Sequence, residues 1–137
     1  MDANTRFHRF RYHLARGFIR FGDDVLDLGC GTGYGTNILA DLAGSVIGFD
    51  MEKSNIDACQ LKYAGDNVEF KLADLEKIKL PKADVAVMFE VLEHLYKPAE
   101  FVKRLEQSVS EYIIMSVPIG QELVWVEEAK EYQEKND

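Results

Sequence analysis

The chain is poor in features that mark several protein classes. Its two cysteines, Cys30 and Cys59, are too few for a disulfide framework and are not spaced as metal ligands. No apolar run approaches the roughly 18 residues that a membrane span requires. The opening stretch MDANTRFHRFRYHLARG lacks the apolar centre of a signal peptide. We therefore expect a cytoplasmic protein with no membrane partner.

Positive charge is also scarce. Sixteen lysines and arginines stand against 24 acidic residues, and the formal net charge of −8 argues against nucleic acid as a partner. The charge is uneven, because residues 1–22 hold five arginines against Asp2, whereas residues 121–137 hold six acids against two lysines. Solvated helix faces explain this pattern. A basic lid or substrate contact formed by residues 1–22 is the alternative.

Apolar periodicity predicts one domain in which helices and strands alternate. Hydrophobic residues make up 47% of the 137 positions, enough for a core. Helices are predicted at 5–20, 35–44, 52–65 and 98–107, and strands at 24–28, 45–50, 67–72, 83–90 and 111–118. This order predicts an α/β fold with a parallel sheet covered on both faces. In the first helix the apolar residues fall near one face, with the arginines on the other: Phe7, Phe10, Leu14, Phe18 and Ile19.

A glycine-rich loop follows the first predicted strand. The glycines alternate along VLDLGCGTGYGTNILA, at Gly29, Gly31, Gly33 and Gly35. Ligands of open parallel sheets bind beyond the carboxyl ends of the strands, where glycines let a ligand reach the main chain. The next helix begins in this loop and offers free N–H groups to an anion.

Two phosphate-binding patterns are excluded at this loop. The dinucleotide pattern G-x-G-x-x-G would need glycine where Tyr34 or Thr36 stands, and it fails in both frames. No Gly-Lys-Ser/Thr follows, so a P-loop is excluded as well. The loop therefore predicts a ligand of another chemical class.

The string DLGCGTG at 27–33 closely resembles motif I of the class I S-adenosylmethionine-dependent methyltransferases. Further segments follow the order and spacing of that family from about residue 23 to 118: VIGFDMEKSNIDAC, NVEFKLADLEKIKLP, ADVAVMFEVLEHLYKP and YIIMSVP. The resemblance implies a Rossmann-like, doubly wound and mostly parallel sheet of about five strands in the order 3-2-1-4-5. It also implies S-adenosyl-L-methionine as cofactor and methyl transfer to a small-molecule or sugar-linked acceptor.

The C-terminal part departs from the family, whose usual sheet has seven strands. Only nineteen residues follow Pro118, so we expect the last two strands to be absent or incomplete. The single domain 1–137 would then comprise an N-terminal lid helix (1–22), the sheet, and a short variable tail (119–137) in which ELVWV suits a strand or a helix. An exposed fifth strand rich in Ile and Val favours a homodimer.

The resemblance assigns the glycine turn to the methionine part of the cofactor. Gly29, Gly31 and Gly33, with Cys30 between them, would line that part. Asp27 would lie near the amino group or the sulfonium of the cofactor. The alternative for Asp27 is a carboxylate that ties the loop to backbone N–H groups.

The resemblance also assigns residues to the nucleoside. Asp50 would accept hydrogen bonds from both ribose hydroxyls, and the alternative is an N-cap for the helix beginning near Glu52. Met51 would pack on adenine, or else fill the core. Asp74 would accept from the adenine amino group and the backbone N–H of Leu75 would meet a ring nitrogen; an ordinary polar loop is the alternative.

The fourth strand ends on Phe89 and Glu90, at the predicted pocket. A cationic sulfonium prefers a site with acids nearby and without arginine, and Asp27 and Glu90 would supply that field. His94 is the candidate general base if the acceptor must lose a proton. The strand end lacks the Asn/Asp-Pro-Pro-Tyr/Phe pattern of nucleobase amino methylation.

The segment EVLEHL admits a second interpretation. Glu90, Glu93 and His94 resemble the Glu-x-x-Glu-His of a metal-dependent RNA 2′-O-methyltransferase family, whose site a downstream histidine completes. Here the other histidines, His8 and His13, both lie upstream, so we expect no metal. Two further alternatives remain for the whole domain: a module that binds the cofactor without transfer, and an enzyme that cleaves it.

Overall fold

The computed structural model describes residues 2–118 of the chain. The elements are α1 (Ala3–Arg16), β1 (Asp24–Leu28), α2 (Tyr34–Ala40), β2 (Ser45–Asp50), α3 (Lys53–Tyr63), β3 (Val68–Leu72), β4 (Ala83–Phe89), a 3-10 turn (Leu92–His94), α4 (Pro98–Ser108) and β5 (Val109–Ser116). Within these residues, no helix has the length and apolar content needed to cross a membrane. The expectations for residues 119–137 lie outside the described range.

The five strands form one parallel sheet in the order β3-β2-β1-β4-β5. This confirms the predicted fold class and strand order. The central strands β1 and β4 are almost wholly buried, as their mainly apolar sequences indicate for strands covered on both faces. Because all strands are parallel, their carboxyl ends meet at one edge, and β1 lies where the strand order reverses.

Two apolar layers sandwich the sheet. Val25 and Val87 pack with buried residues of α1 and α2 on one face. Leu26 and Met88 pack with Phe101 of α4 on the other. Side chains alternate between the two faces along each strand, so β1 and β4 hold both layers together and fix the edge where their ends meet.

Helix α1 ends earlier than predicted. The sequence pattern extends to residue 20, but the helix stops at Arg16. Gly17, Phe18 and Ile19 then donate their N–H groups to carbonyls three residues back, which tightens the chain into turns. This turn leads the chain into β1.

The buried face of α1 is not the one that the apolar spacing suggests. Phe7, Phe10 and Leu14 are 59%, 54% and 57% exposed, whereas Tyr12 and Ala15 are buried. The reason lies in α2: a Cβ atom built on Gly35 would stand 2.1 Å from Cζ of Tyr12. The Tyr12 ring therefore fills the notch that glycine leaves, and the helix docks by its polar and aromatic side.

A buried polar cluster fixes that docking. Asp27 and Thr36 have no exposed surface. The Tyr12 hydroxyl donates to Asp27 Oδ1 at 3.0 Å, and the Thr36 hydroxyl donates to Oδ2 at 2.6 Å. Burial raises the pKa of Asp27 to about 6, against the two hydrogen bonds, which lower it.

This raised pKa predicts a pH-dependent contribution to stability. The folded protein binds the Asp27 proton more tightly than the unfolded chain, so the contribution is complete below about pH 4 and is lost as the pH rises through about 6. Asp27→Asn removes the titration and keeps an acceptor for Tyr12. As the pH rises from about 4 to 7, the wild type should lose about 3 kcal/mol in free energy of unfolding that the variant does not lose.

Urea denaturation across this pH range measures the difference. Asp57→Asn, at an exposed carboxylate paired with Lys53 on α3, is the control and should follow the wild type. A difference between Asp27→Asn and wild type that does not change with pH would contradict the assignment.

Candidate functional site

A cavity of about 240 Å³ opens at the carboxyl edge of the sheet. Seven of the residues proposed from sequence line it: Gly29, Asp50, Met51, Asp74, Leu75, Glu90 and His94. Five others lie outside its lining: Asp27, Cys30, Gly31, Gly33 and Phe89. The structure thus brings the proposed nucleoside residues together with the end of β4, and it places most of the glycine turn beside the cavity.

The glycine turn is shaped by backbone angles that side chains rarely adopt. Gly29 has a φ of +82°, and a Cβ atom there would stand 2.3 Å from Val91 Cγ2. Gly31 has a φ of +54°, yet a Cβ atom there would meet nothing within 4 Å. Packing therefore requires glycine at position 29, whereas position 31 borders open space that a ligand can fill.

Asp50 connects the glycine turn with α3. Its Oδ2 accepts the backbone N–H of Gly31 at 2.9 Å, and its Oδ1 accepts from Glu52 N at 2.9 Å and from Asn55 Nδ2 at 3.3 Å. The N-cap position belongs to Glu52, so Asp50 precedes the cap. A carboxylate offers about four lone-pair positions, which leaves room for a further donor on the cavity side.

Asp27 has a different position from the one proposed for a ligand contact. It is fully buried under α1, and its hydrogen bonds go to the hydroxyls of Tyr12 and Thr36. The carboxylate that binds a backbone N–H of the loop is Asp50. The proposed contact of Asp27 with the cofactor stays a prediction.

Phe89 and the first helix form an aromatic cluster next to the turn. The Phe89 ring lies 5.0 Å from that of Tyr12 and 6.3 Å from that of His8, both edge to face. The Tyr34 hydroxyl is hydrogen bonded to His8 Nδ1. Burial, followed by the charge of Arg11, lowers the pKa of His8. Helix α1 therefore covers the sheet edge beside the cavity, as a lid would.

The end of β4 carries an ion pair that the sequence interpretation missed. Arg11 Nη1 lies 2.5 Å from Glu90 Oε1 and 3.1 Å from Ser116 Oγ. Glu90 has a φ of +56°, and its N–H donates to the carbonyl of Ser116. An arginine thus stands where a site free of arginine was expected. The available signal was the i, i+3, i+4 spacing of His8, Arg11 and Tyr12, which places them on one helix face.

The adenine end is a loop with its own internal support. Asp74 Oδ1 accepts the N–H of Glu76 at 3.0 Å. The two Glu76 carboxylate oxygens accept the N–H groups of Tyr96 and Lys97 at 2.9 and 2.8 Å. Glu76 therefore joins this loop to the segment after the 3-10 turn and closes one wall of the cavity, which sequence reasoning did not foresee.

The side chains of His94 and Glu93 differ in their exposure to solvent. The His94 side chain is 77% exposed, whereas that of Glu93 is 6% exposed, and His94 Nε2 lies 3.6 Å from Glu93 Oε1. In residues 2–118, no three His, Cys, Asp or Glu side chains are grouped so as to hold a metal ion. His94 lines the cavity wall and can meet a ligand there.

These features define a class. A parallel sheet in the order 3-2-1-4-5 carries a glycine turn without a phosphate-binding pattern, an acid that ends β2, and a cavity between them. This is a Rossmann-like domain.

The chain belongs to a family described as a methyltransferase domain, which matches residues 26–111. A probable S-adenosylmethionine-dependent methyltransferase of Mycolicibacterium smegmatis is 41% identical over 83 residues, covering 59% of this chain and 32% of that protein. A ubiquinone biosynthesis O-methyltransferase of Pelagibacter ubique is 31% identical over 97 residues, covering 68% and 40%. The resemblance noted in the sequence is confirmed.

A solved structure agrees with this fold. An S-adenosylmethionine-dependent methyltransferase from Mesorhizobium loti superposes with a TM-score of 0.70 at 22% identity, over 77% of this chain and 52% of that one. The chain spans about a third of the length of the first curated relatives that it matches. Helix α1 and the end of β5 fall outside the matched residues 26–111.

Proposed function

We propose that this domain binds S-adenosylmethionine and transfers its methyl group to a small-molecule or sugar-linked acceptor. The observation that carries the proposal is the Asp50 carboxylate, which lines the cavity and holds the glycine turn through Gly31. The residues suit the cofactor, because Gly31 borders open space and Asp50 has room for a ribose hydroxyl.

The strand order supports one direction for the cofactor along the edge of the sheet. Adenine would meet Leu75 and Asp74 after β3, with Met51 beside it, and ribose would meet Asp50 at the end of β2. The sulfur end then extends past β1 toward Glu90 after β4. Met51 is 70% exposed, which suits a side chain that packs on a ligand better than one that fills a core.

The protein's part in the reaction is to position the two reactants and to exclude water. The cofactor supplies a methyl group already activated by its sulfonium. With the cofactor held by Asp50 and Asp74, that methyl group would pass to a lone pair of the acceptor, and the cofactor would remain as an uncharged thioether. Where the acceptor loses a proton, His94 is placed at the cavity wall to take it.

Binding and turnover test this proposal. By calorimetry we expect S-adenosylmethionine and S-adenosylhomocysteine to bind and NAD to fail, because the loop lacks the dinucleotide pattern. With labelled cofactor, transfer to a member of an acceptor panel is expected.

Two outcomes would contradict the transfer reaction. Cofactor cleavage without any acceptor, detected by mass spectrometry, would indicate a degrading enzyme. Tight cofactor binding with no transfer to any acceptor of a broad panel would indicate a binding module.

A further inference from the structure

Arg11 reaches from the first helix to the ends of two strands. Its guanidinium contacts Glu90 Oε1 at 2.5 Å and Ser116 Oγ at 3.1 Å. The Arg11 and Glu90 side chains are only 23% and 28% exposed, so solvent and salt screen this pair less than a surface pair. The contact therefore fixes a positive charge beside the cavity.

The second carboxylate oxygen of Glu90 has no hydrogen-bond donor among the described residues. Glu90 Oε2 is buried and, within residues 2–118, accepts no hydrogen bond. The other cavity carboxylates all accept backbone donors: Asp50 from Gly31 and Glu52, Asp74 from Glu76, and Glu76 from Tyr96 and Lys97. A buried oxygen without a donor is costly. Within residues 2–118, Glu90 is therefore the cavity carboxylate with one oxygen paired to Arg11 and the other without a donor.

Glu90 lines the cavity at the sulfur end of the proposed ligand path. Asp74 follows β3, Asp50 ends β2 and Glu90 follows β4, and the sheet order is β3-β2-β1-β4. A ligand whose ribose is held at Asp50 and whose adenine is held at Asp74 extends its 5′ substituent toward Glu90. In S-adenosylmethionine that substituent carries the sulfonium.

Resting on the proposed function, we propose that Arg11 and Glu90 set the preference of this site between the cationic cofactor and its uncharged product. The Glu90 carboxylate attracts the sulfonium, and the Arg11 guanidinium opposes it. With α1 seated, the two side chains form a neutral pair, so S-adenosylhomocysteine competes well with S-adenosylmethionine. Arg11 precedes the matched residues 26–111, so this specificity-determining residue is a feature of α1.

The ratio of the two dissociation constants tests the proposal, measured by calorimetry on the full chain. Glu90→Gln should lower the preference for S-adenosylmethionine over S-adenosylhomocysteine about fivefold, because the attracting charge is gone. Arg11→Met should raise that preference about fivefold, because the Glu90 charge is no longer balanced. The double variant carries neither charge, so its ratio should return to about that of the wild type.

The ratio separates electrostatics from structure. The two ligands differ by one methyl group and one charge, so a displaced helix weakens both alike and leaves the ratio unchanged. Arg16→Met is the matched control, since Arg16 lies on the same helix and pairs with Asp41 at 3.4 Å. Arg11→Lys keeps the charge and should keep the wild-type ratio.

Two outcomes can be told apart. If the wild type binds both ligands and the ratio stays the same in Glu90→Gln and in Arg11→Met, this inference is overturned and the proposed function stands. If the wild type binds neither ligand, the proposed function itself fails. Should Arg11→Met not fold, the Glu90→Gln ratio alone decides the question.

Discussion

Replacing Asp50 with alanine should weaken the binding of S-adenosylmethionine by about tenfold or more. Without the carboxylate, the ribose hydroxyls would have no acceptor, and the backbone N–H of Gly31 would lose the acceptor that lies 2.9 Å away. A hydrogen bond to a charged group contributes about 1.5–3 kcal/mol, which corresponds to this loss. Calorimetry measures the affinity, and circular dichroism reports whether the variant folds.

A smaller ligand shows whether the weaker binding of Asp50→Ala comes from the ribose contact. 5′-Methylthioadenosine has the ribose and lacks the methionine part, so Asp50→Ala should weaken its binding by a similar factor. Asp41→Ala, at an exposed carboxylate paired with Arg16, is the control and should bind both ligands as the wild type does. Unchanged affinity of Asp50→Ala would remove the ribose assignment.

Gly31→Asn should abolish most cofactor binding at a small cost in stability. Asparagine tolerates a positive φ better than other residues with a side chain, and the Gly31 Cβ direction is free of protein atoms within 4 Å. The new side chain would fill the space that we assign to the ligand. We expect affinity for S-adenosylmethionine to fall by about tenfold or more, from the loss of close contact.

The chain offers a matched control for this substitution. Gly22 has a φ of +90° and likewise no atom within 4 Å of its Cβ position, but it lies before β1. Gly22→Asn should cost about 1 kcal/mol of stability, as Gly31→Asn should, and leave the affinity unchanged. Equal affinities for the two variants in calorimetry would show that no ligand uses the open space at Gly31.

The sheet was predictable because its signals are local. The strands β2 and β4 are short, mainly apolar runs, and β4 is nearly all apolar because both its faces are covered. The acid at the end of β2 and the loop after β3 could be located from their positions next to predicted strands, and both line the cavity.

The docking of α1 could not be predicted from periodicity. The helix has two faces that can bury, and the choice depends on the notch at Gly35, far from α1 in sequence. The pattern favoured the face with Phe7 and Phe10, which is exposed, over the face with Tyr12, which is buried. An apolar stripe shows that a surface is available and does not show what opposes it.

The polar contacts of Arg11 and Asp27 could not be predicted for the same reason. Arg11 and Glu90 are 79 residues apart, and Asp27 meets Tyr12 and Thr36 only once α1 and α2 are seated. Composition indicated solvated helix faces for the N-terminal arginines, with a basic lid or substrate contact as the alternative. It did not indicate that one of them pairs with an acid of the cavity.

The long-range contacts of α1 have a consequence for how the protein folds. The partners of Arg11 are 79 and 105 residues along the chain, so a ribosome completes α1 well before β4 and β5 exist. Closing so long a loop carries an entropic penalty that local contacts do not offset. The helix made first therefore completes its contacts last, and the Arg11 guanidinium has no ion-pair partner until β4 and β5 are in place.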